Sequence, residues 1–331
     1  MKTRILTTGM YVPPKVVTNQ DLEKLMDTSD EWIQQRSGIK ERRWIQPGET
    51  TLSMATAAAK QALERANLKA DDIDMIIFGC LVSDYIFPGT GCLLQRELGF
   101  TRTIPALDIR NQCSGFLYAL KVADALIQAK QYKRILIVAS EIHSTTLDLS
   151  TKGRDISVLF GDGAGAMIVE ACQDNENHII DTVIHSDGQH AECLSLQKPS
   201  ANDFPRINPN TAPGDSIFPH MDGKLVFKNA VTRMNEVMIE LLERNKINAG
   251  DIDFVVAHQA NMRINQMVLK GLEIPFEKTH HTLDRYGNTT MATIPITFDE
   301  ALLEGKVKRG DLIAFVAFGA GFTWGASLIR Y

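Results

Sequence analysis

Cysteine is scarce in this chain and never arranged for cross-linking: the five in 331 residues (Cys80, Cys92, Cys113, Cys172, Cys193) are odd in number, irregularly spaced and without a Cys-x-x-Cys pair. That argues against a disulfide framework or a zinc ribbon and for a reducing compartment. No stretch approaches the roughly 18 apolar residues of a membrane span. Met1 to Arg4 runs into a short strand-like Ile5 to Gly9 without the apolar core of a signal peptide. Runs of like charge are missing too, and with a net charge of −5 and scattered basic residues the chain does not wrap nucleic acid through its bulk field. Apolar and charged fractions of 44% and 23% exclude a disordered chain. The expectation is a cytoplasmic globular protein with no nucleic acid or membrane partner.

What is present is organised around Leu107-Asp108-Ile109-Arg110-Asn111-Gln112-Cys113-Ser114-Gly115-Phe116. An apolar run from Ile104 to Ile109 leads into a thiol, and a helical pattern follows through Leu117, Leu120, Val122, Ala125 and Leu126. This predicts strand, tight turn and helix, with Cys113 near the helix N-terminus, where unpaired N–H groups and the dipole favour a thiolate. A buried structural cysteine is the commoner role on such a stretch alone.

Around it, helices are expected after Thr18 or Asn19, after Thr28-Ser29-Asp30, from Thr51 to Leu68, from Gly89 to Leu98 and from about Gly223 to Asn245. Strands are expected at Ile73–Gly79, Lys133–Ser140, Phe254–Ala257 and Leu312–Val316, with a glycine-rich strand start at Gly161–Ala166. A polar loop, about Gln197 to Asp215, carries Pro199, Pro205, Pro209 and Pro213, and loops of that length are usually functional or disordered.

An internal repeat is visible. Leu63-Glu64-Arg65 through Ile77 aligns without a gap on Leu242-Glu243-Arg244 through Val256, both reading as helix end, turn and buried strand. In nearly the same register Leu107-Asp108 falls opposite Leu283-Asp284, placing Asn288 close to the counterpart of Cys113. The chain therefore reads as a duplicated α/β unit, two mixed sheets with helices between and outside them. In such a duplication the ends of equivalent strands meet at the pseudo-twofold, so Cys113 and residues near His258 and Asn288 would converge.

His258, in His258-Gln259-Ala260-Asn261-Met262-Arg263, ends the strand Phe254–Ala257, a position where α/β sheets bind ligands. Asn288, in Tyr286-Gly287-Asn288-Thr289-Thr290, is on its own as well explained by a turn or cap. Gly319-Ala320-Gly321-Phe322-Thr323-Trp324-Gly325 offers closely spaced N–H groups able to hold an oxyanion, or simply a tight turn. Together these supply a nucleophile and neutral hydrogen-bond donors, which thioester chemistry needs: a soft sulfur to accept an acyl group, and donors for a tetrahedral oxygen or an enolate.

At these residues the chain resembles the 3-oxoacyl-(acyl-carrier-protein) synthase III family of the thiolase-like superfamily, end to end. The matching stretches are Thr28–Ile33, Arg36-x-Gly38-Ile39, Cys113-x-Gly115-Phe116, Phe160–Ala166, His258–Asn261, Gly287–Thr289 and Phe318–Gly325. The resemblance implies an α/β thiolase-like duplicated fold, two mixed five-stranded sheets in an αβαβα layered sandwich, with one half at 1–173 carrying the Cys and the other at 174–331 carrying the His and Asn. It implies a decarboxylating Claisen condensation of an acyl-CoA primer with malonyl-acyl carrier protein through an acyl-cysteine, initiating fatty acid synthesis.

Carried over residue by residue, Cys113 would be acylated, His258 and Asn288 would hold the malonyl thioester carbonyl, and the N–H groups of Cys113 and Ala320 would hold the oxyanion. Trp32 and Arg154 match positions that sandwich the CoA adenine, Arg36 one near its phosphates, and Phe227, Ala260 and Asn261 contacts to the pantetheine arm. Gln259 and Arg263 match the segment receiving the carrier protein. Phe87 matches a residue contributed to the acyl pocket across a homodimer interface. No cofactor and no metal are implied.

Departures from the family pattern are Asp108 to Gln112 before the thiol, Lys224, Met291 and the longer Pro-rich loop. They put the acyl donor's identity in question, so the alternative is a specialised ketosynthase III-like enzyme, condensing or transferring secondary-metabolite or long-chain acyl thioesters. The glycine-rich turn lacks the second cysteine of a thiolase, and Asn288 stands where the longer ketosynthases use a second His. A papain-like protease, which also uses Cys, His and Asn, places its Cys near the N-terminus of a disulfide-bearing secreted chain, unlike this one. A binding protein with a relic site is disfavoured because all three positions are filled.

Overall fold

The computed structural model describes residues 1–173, 177–202 and 217–331. Most of the Pro-rich loop, and the start of the expected second half at 174, therefore lie outside the described residues. The first sheet contains β1 (Lys2–Tyr11), β2 (Met75–Gly79), β3 (Ala106–Ile109), β4 (Arg134–Glu141) and β5 (Gly163–Cys172), in the order β1-β5-β4-β2-β3. The second contains β6 (His178–Ser186), β7 (Phe254–Ala257), β8 (Leu312–Gly319) and β9 (Thr323–Arg330), in the order β6-β9-β8-β7. Both run antiparallel, antiparallel, parallel from the outer strand inward, so β6, β9, β8 and β7 repeat β1, β5, β4 and β2.

The duplication is thus present, with one difference in strand count. Among the described residues the second sheet has four strands rather than five. Where β3 flanks β2, the second half offers only a single parallel bridge, Val255 to Thr279. Ala106 pairs with Ile76 in the first half as Thr279 does with Val255 in the second. The structural counterpart of Leu107 is therefore His280, and Leu283 sits in a short helix, Leu283–Tyr286, so the repeat loses register after the buried strand.

Six helices matter for the site: α1 (Asp30–Ser37), α2 (Thr51–Arg65), α3 (Gly115–Gln128), α4 (Gly223–Asn245), α5 (Met262–Gly271) and α6 (Thr293–Leu303). Side-chain caps start several of them. The Ser29 hydroxyl accepts from Trp32 N–H, Thr50 and Ser53 form a capping box, Asp222 accepts from Leu225 N–H and Asn261 from Arg263 N–H. The layers follow from which faces are apolar. The Ala face of α2 (Ala55, Ala58, Ala59, Ala62) lies flat on the outer side of the first sheet, and Met234, Met238 and Leu241 of α4 cover the outer side of the second. Helices α3 and α6 fill the space between the sheets and are buried on most sides. Strands β2 and β8 are sealed on both faces, which is why they read as unbroken apolar runs. No helix among the described residues is long and apolar enough to cross a membrane, and all five cysteines are free thiols.

Met291, one of the departures from the family pattern, does not line the site's cavities. It is 1% exposed, behind the turn that carries Cys113. A Cβ on Gly115 would come within 2.8 Å of its sulfur, and one on Gly79 would collide with it outright. The methionine fills a gap that two glycines leave between β2 and the start of α3. Met291→Ala opens that gap and is expected to lower the unfolding free energy by about 2–5 kcal/mol. Urea denaturation checks this, and a midpoint equal to that of the native chain refutes it.

Candidate active site

Cys113 occupies a single 3-10 turn, Gln112–Ser114, directly ahead of α3, as the strand-turn-helix pattern requires. The turn is pinned by the glycine-rich segment after β8. Ser114 Oγ donates to Thr323 Oγ1 at 2.7 Å, Thr323 Oγ1 donates to Ala320 O at 3.0 Å, and a Cβ on Gly319 would stand 2.9 Å from that of Cys113. Only glycine lets β8 approach the thiol so closely.

His258 caps the end of β7, its N–H donating to Val316 O at 2.8 Å. Its Nδ1 lies 2.7 Å from Thr293 Oγ1, which also has Thr290 O at 2.9 Å as an acceptor. A hydroxyl has one proton and two lone pairs. Pointing that proton at Thr290 O leaves Nδ1–H bonded to the hydroxyl oxygen and Nε2 an acceptor; pointing it at Nδ1 leaves Nε2–H a donor. Asn288 is clamped to the first half through its N–H to Leu159 O at 2.8 Å and its carbonyl, which accepts from Gly161 N–H at 3.1 Å. Its Oδ1 accepts from Thr290 N–H at 2.8 Å, which turns the amide so that Nδ2 is free to donate.

Cys113, His258 and Asn288 line one cavity of about 110 Å³ together with Phe227, Ala260, Asn261, Phe318 and Gly319. The cavity is one section of a passage. On the outer side it shares Leu159, Phe227 and Asn261 with an open mouth of about 810 Å³ that includes Trp32, Arg36, Lys224 and Arg263. On the inner side it shares Cys113, Phe160 and Leu194 with a chamber of about 270 Å³, lined also by Leu81, His143, Thr290 and Ala320.

Burial sets the charges. It pushes the Cys113 thiol up to about 12, with the Glu141 carboxylate adding to the shift, and holds His258 down at about 3. The resting pair is therefore a neutral thiol beside a neutral imidazole. The expected thiolate is not the resting form: desolvation is the largest influence on the thiol and keeps it protonated.

Other expected residues fare differently. Asn261 spends its amide as a staple, Oδ1 accepting from Arg263 N–H at 2.9 Å and Nδ2 donating to Arg36 O at 2.8 Å. Gln259 is wholly buried, its Nε2 donating to Ala257 O at 2.8 Å and its Oε1 accepting from Thr282 N–H at 3.3 Å, so it offers nothing to a carrier protein. That assignment is withdrawn, whereas Arg263 is exposed at the mouth, over the Phe227 ring. Arg154 rests on Trp32 at 4.7 Å and Arg36 at 4.5 Å, so in this structure no slot for an adenine lies between Arg154 and Trp32. Phe87 is 84% exposed and does not line the inner chamber of its own chain.

Sequence reasoning missed His143, Glu141, Thr290 and Thr293. His143 and Glu141 lie at and just beyond the end of β4, where the rule that singled out His258 would have found them. The one grouping with metal-ligand geometry among the described residues is His280, Glu300 and Glu304. There the imidazole is already used, Nε2 2.9 Å from Glu300 and Nδ1 2.8 Å from Lys306 Nζ, and Arg285 neutralises Glu300, so it is an ion-pair network.

The chain is similar to known proteins along its whole length. The family described as 3-Oxoacyl-[acyl-carrier-protein (ACP)] synthase III matches residues 107–188, and its C-terminal counterpart matches 242–331. A beta-ketoacyl-[acyl-carrier-protein] synthase III of Thiobacillus denitrificans is 43% identical over 99% of both chains. The crystal structure of a 3-oxoacyl-[acyl-carrier-protein] synthase III from Aquifex aeolicus superposes with a TM-score of 0.90 at 43% identity, covering 99% of this chain and 100% of that one. One from Thermus thermophilus gives 0.90 at 36%, covering 99% of each.

A neutral buried His258 also predicts a pH dependence of stability. Between about pH 6.5 and 3 the unfolded chain protonates this imidazole and the folded chain does not, so this residue's contribution makes stability fall as pH falls. Removing it in His258→Leu should make the stability profile between pH 6 and 4 shallower by up to about 1.4 kcal/mol per pH unit. Urea midpoints at pH 6, 5 and 4 test this, and parallel profiles refute it.

Proposed function

The chain belongs to the 3-oxoacyl-[acyl-carrier-protein] synthase III family, and from that premise we propose which of its residues carries each step. It is an acyltransferase of the ketosynthase type, condensing an acyl-CoA primer with malonyl-acyl carrier protein through an acyl-cysteine, the step that initiates fatty acid synthesis. The observation that carries the residue assignment is the shared cavity of Cys113, His258 and Asn288 at the junction of mouth and inner chamber.

In the first half-reaction the Cys113 thiol attacks the primer's thioester carbonyl. A thiol held near 12 must lose its proton as it attacks, and His258 Nε2, with Thr293 supplying the Nδ1 partner, can take it and return it to the departing CoA sulfur. The oxyanion lies between the N–H groups of Cys113 and Ala320, and the acyl chain enters the inner chamber. In the second half-reaction the malonyl carbon–carboxylate bond breaks and its electron pair moves onto the thioester oxygen. That oxygen is held by Asn288 Nδ2–H and, with the Thr293 hydroxyl turned to Nδ1, by His258 Nε2–H. Neutral donors suit the step, because they stabilise the enolate without protonating its carbon. The carbanion then attacks the acyl-cysteine, the new carbon–carbon bond forms, and the Cys113 sulfur leaves and regains a proton from solvent. These steps need no cofactor.

At the mouth, Arg36, Lys224 and Arg263 supply positive charge for CoA phosphates and an acidic carrier, with Trp32 as the flat surface beside them. Phe227, Ala260 and Asn261 line the narrow passage suited to a pantetheine arm. Tyr85, Ile86 and Phe87 stand exposed on one loop, and Leu107 is exposed on edge strand β3, whose Asp108 lies against Gly89 just after that loop. An apolar loop and an unpaired edge fit a homodimer with Phe87 reaching the partner's chamber. Residues 1–173 and 174–331 are read as the two halves of the duplication, and the cytoplasm as the working compartment.

Cys113→Ala is expected to abolish acyl-enzyme formation; a mass increment on that variant after incubation with acyl-CoA refutes it. Asn288→Ala is expected to keep acylation of Cys113 but to lower malonyl decarboxylation by about 10²–10³-fold, the usual cost of losing one preorganised donor. His258→Ala is expected to lose decarboxylation as well. Native rates of carbon dioxide release from either variant would remove these residues from the reaction.

A further inference from the structure

The inner chamber is built for more than hydrocarbon. Beside the apolar Leu81, Phe160, Leu194 and Leu196 it is lined by His143, Gln112, Arg110 and Thr146. His143 is 3% exposed, lies 4.7 Å centroid to centroid from Phe160, and has Nε2 3.1 Å from Thr290 Oγ1. Burial raises the pKa of the Glu141 carboxylate and the Thr290 hydroxyl acts on it in turn, drawing that pKa down, while Glu141 Oε2 accepts from Leu81 N–H at 2.8 Å and Oε1 is left open to a donor. With the Thr290 proton directed at that carboxylate, its oxygen receives Nε2–H from His143, and a neutral imidazole is left with a lone pair on Nδ1. Among the described residues nothing hydrogen-bonds to Nδ1, and it is not one of the sealed polar atoms left without a partner, so it retains accessible surface in a chamber-lining residue. Gln112, held at φ +42 in the turn that presents Cys113, likewise has no side-chain partner among the described residues. The chamber thus brings an unused acceptor and an unused amide donor to the wall of the space beyond the sulfur. Its volume of about 270 Å³ has room for a short acyl chain together with a polar substituent.

Resting on the acyl-cysteine reading above, we propose that the primer is a short acyl group bearing a hydroxyl, which donates to His143 Nδ1 and accepts from the Gln112 amide. A plain hydrocarbon primer leaves both groups dry and unpaired, and a site with polar partners in place discriminates against such an analogue.

The experiment incubates the native enzyme with butyryl-CoA, 3-hydroxybutyryl-CoA, 4-hydroxybutyryl-CoA and succinyl-CoA, and follows the mass added at Cys113 with time. One of the hydroxyacyl donors is expected to acylate at least tenfold faster than butyryl-CoA. His143→Leu and His143→Gln are expected to shift that ratio at least tenfold and to a lesser extent, respectively. Butyryl-CoA reacting as fast as either hydroxyacyl donor overturns the proposal while leaving the acyl-cysteine reading intact, as does a ratio unchanged in His143→Leu. Succinyl-CoA reacting fastest also overturns it, in favour of an acid held by Arg110. Failure of all four donors overturns the proposal, and failure of acetyl-CoA and of a long-chain acyl-CoA alongside them would bring down the acyl-cysteine reading with it.

Discussion

Backbone contact across the seam between the two halves is the constraint on which the site depends. At one point β8 passes so close to the Cys113 turn that Gly319 has no room for a side chain, and at another Gly161 faces the Tyr286 carbonyl with none to spare. Between them the chain before β5 and the Asn288 turn are joined like strands, with Leu159 and Gly161 bonding the main chain of Asn288 on either side of a Phe160–Asn288 bridge. Polar ties reinforce the seam elsewhere: Asp299 of α6 accepts from Thr8 at 2.6 Å and pairs with Arg65 of α2. The motifs Phe160–Ala166 and Gly287–Thr289 are therefore two sides of one joint. Their glycines are spaced for packing, and their consequence for chemistry is that Asn288 is delivered to a wall it shares with Cys113.

Placing the site at that seam has an electrostatic price. Burial penalises charge there: the thiol and Glu141 are pushed up, to about 12 and about 7, and His143 and His258 down, to about 4 and about 3, so that near neutral pH only Glu141 carries partial charge among these four. Each shift has desolvation as its largest cause, and together they describe a pocket that stabilises charge only when a substrate develops it. On the proposed assignment, the donors that answer that charge are preoriented amides and a neutral imidazole, which need little reorganisation. Charges gather instead at the mouth, where Arg36, Lys224 and Arg263 remain in water.

The architecture was largely legible because it was written twice. The helix-turn-strand segment recurring at Leu63 and Leu242 became α2 with β2 and α4 with β7, each with an unbroken apolar strand. Register was lost after that segment, since the loop from β7 to Thr279 is organised by α5 and carries no hydrophobic alternation. Chemistry-bearing residues at strand ends could be found by position, as His258 was and His143 should have been. Side-chain direction could not. Gln259 sits next to His258 yet turns inward to bond Ala257 and Thr282, and Arg154 lies against Trp32. Nor does composition reveal a positive φ at a β-branched residue, the feature that makes Thr290 matter.

Thr290 is held at φ +44, where threonine is seldom found, and all of its polar groups are used. Its N–H fixes the Asn288 carboxamide, its carbonyl takes the Thr293 hydroxyl that touches His258, and its own hydroxyl lies between Glu141 and His143. On the proposed assignment, one strained residue thus orients the Asn288 donor of the decarboxylation step, the hydroxyl whose direction sets the His258 tautomer, and one wall of the inner chamber. These functions are mechanically joined, because a shift of Thr290 to accommodate a bulkier acyl chain would also turn Asn288 and loosen the partner of His258. The chamber is consequently easier to retune through side chains that do not bear on that backbone, such as Leu81, Leu194 and Leu196, than through the His143–Thr290 contact.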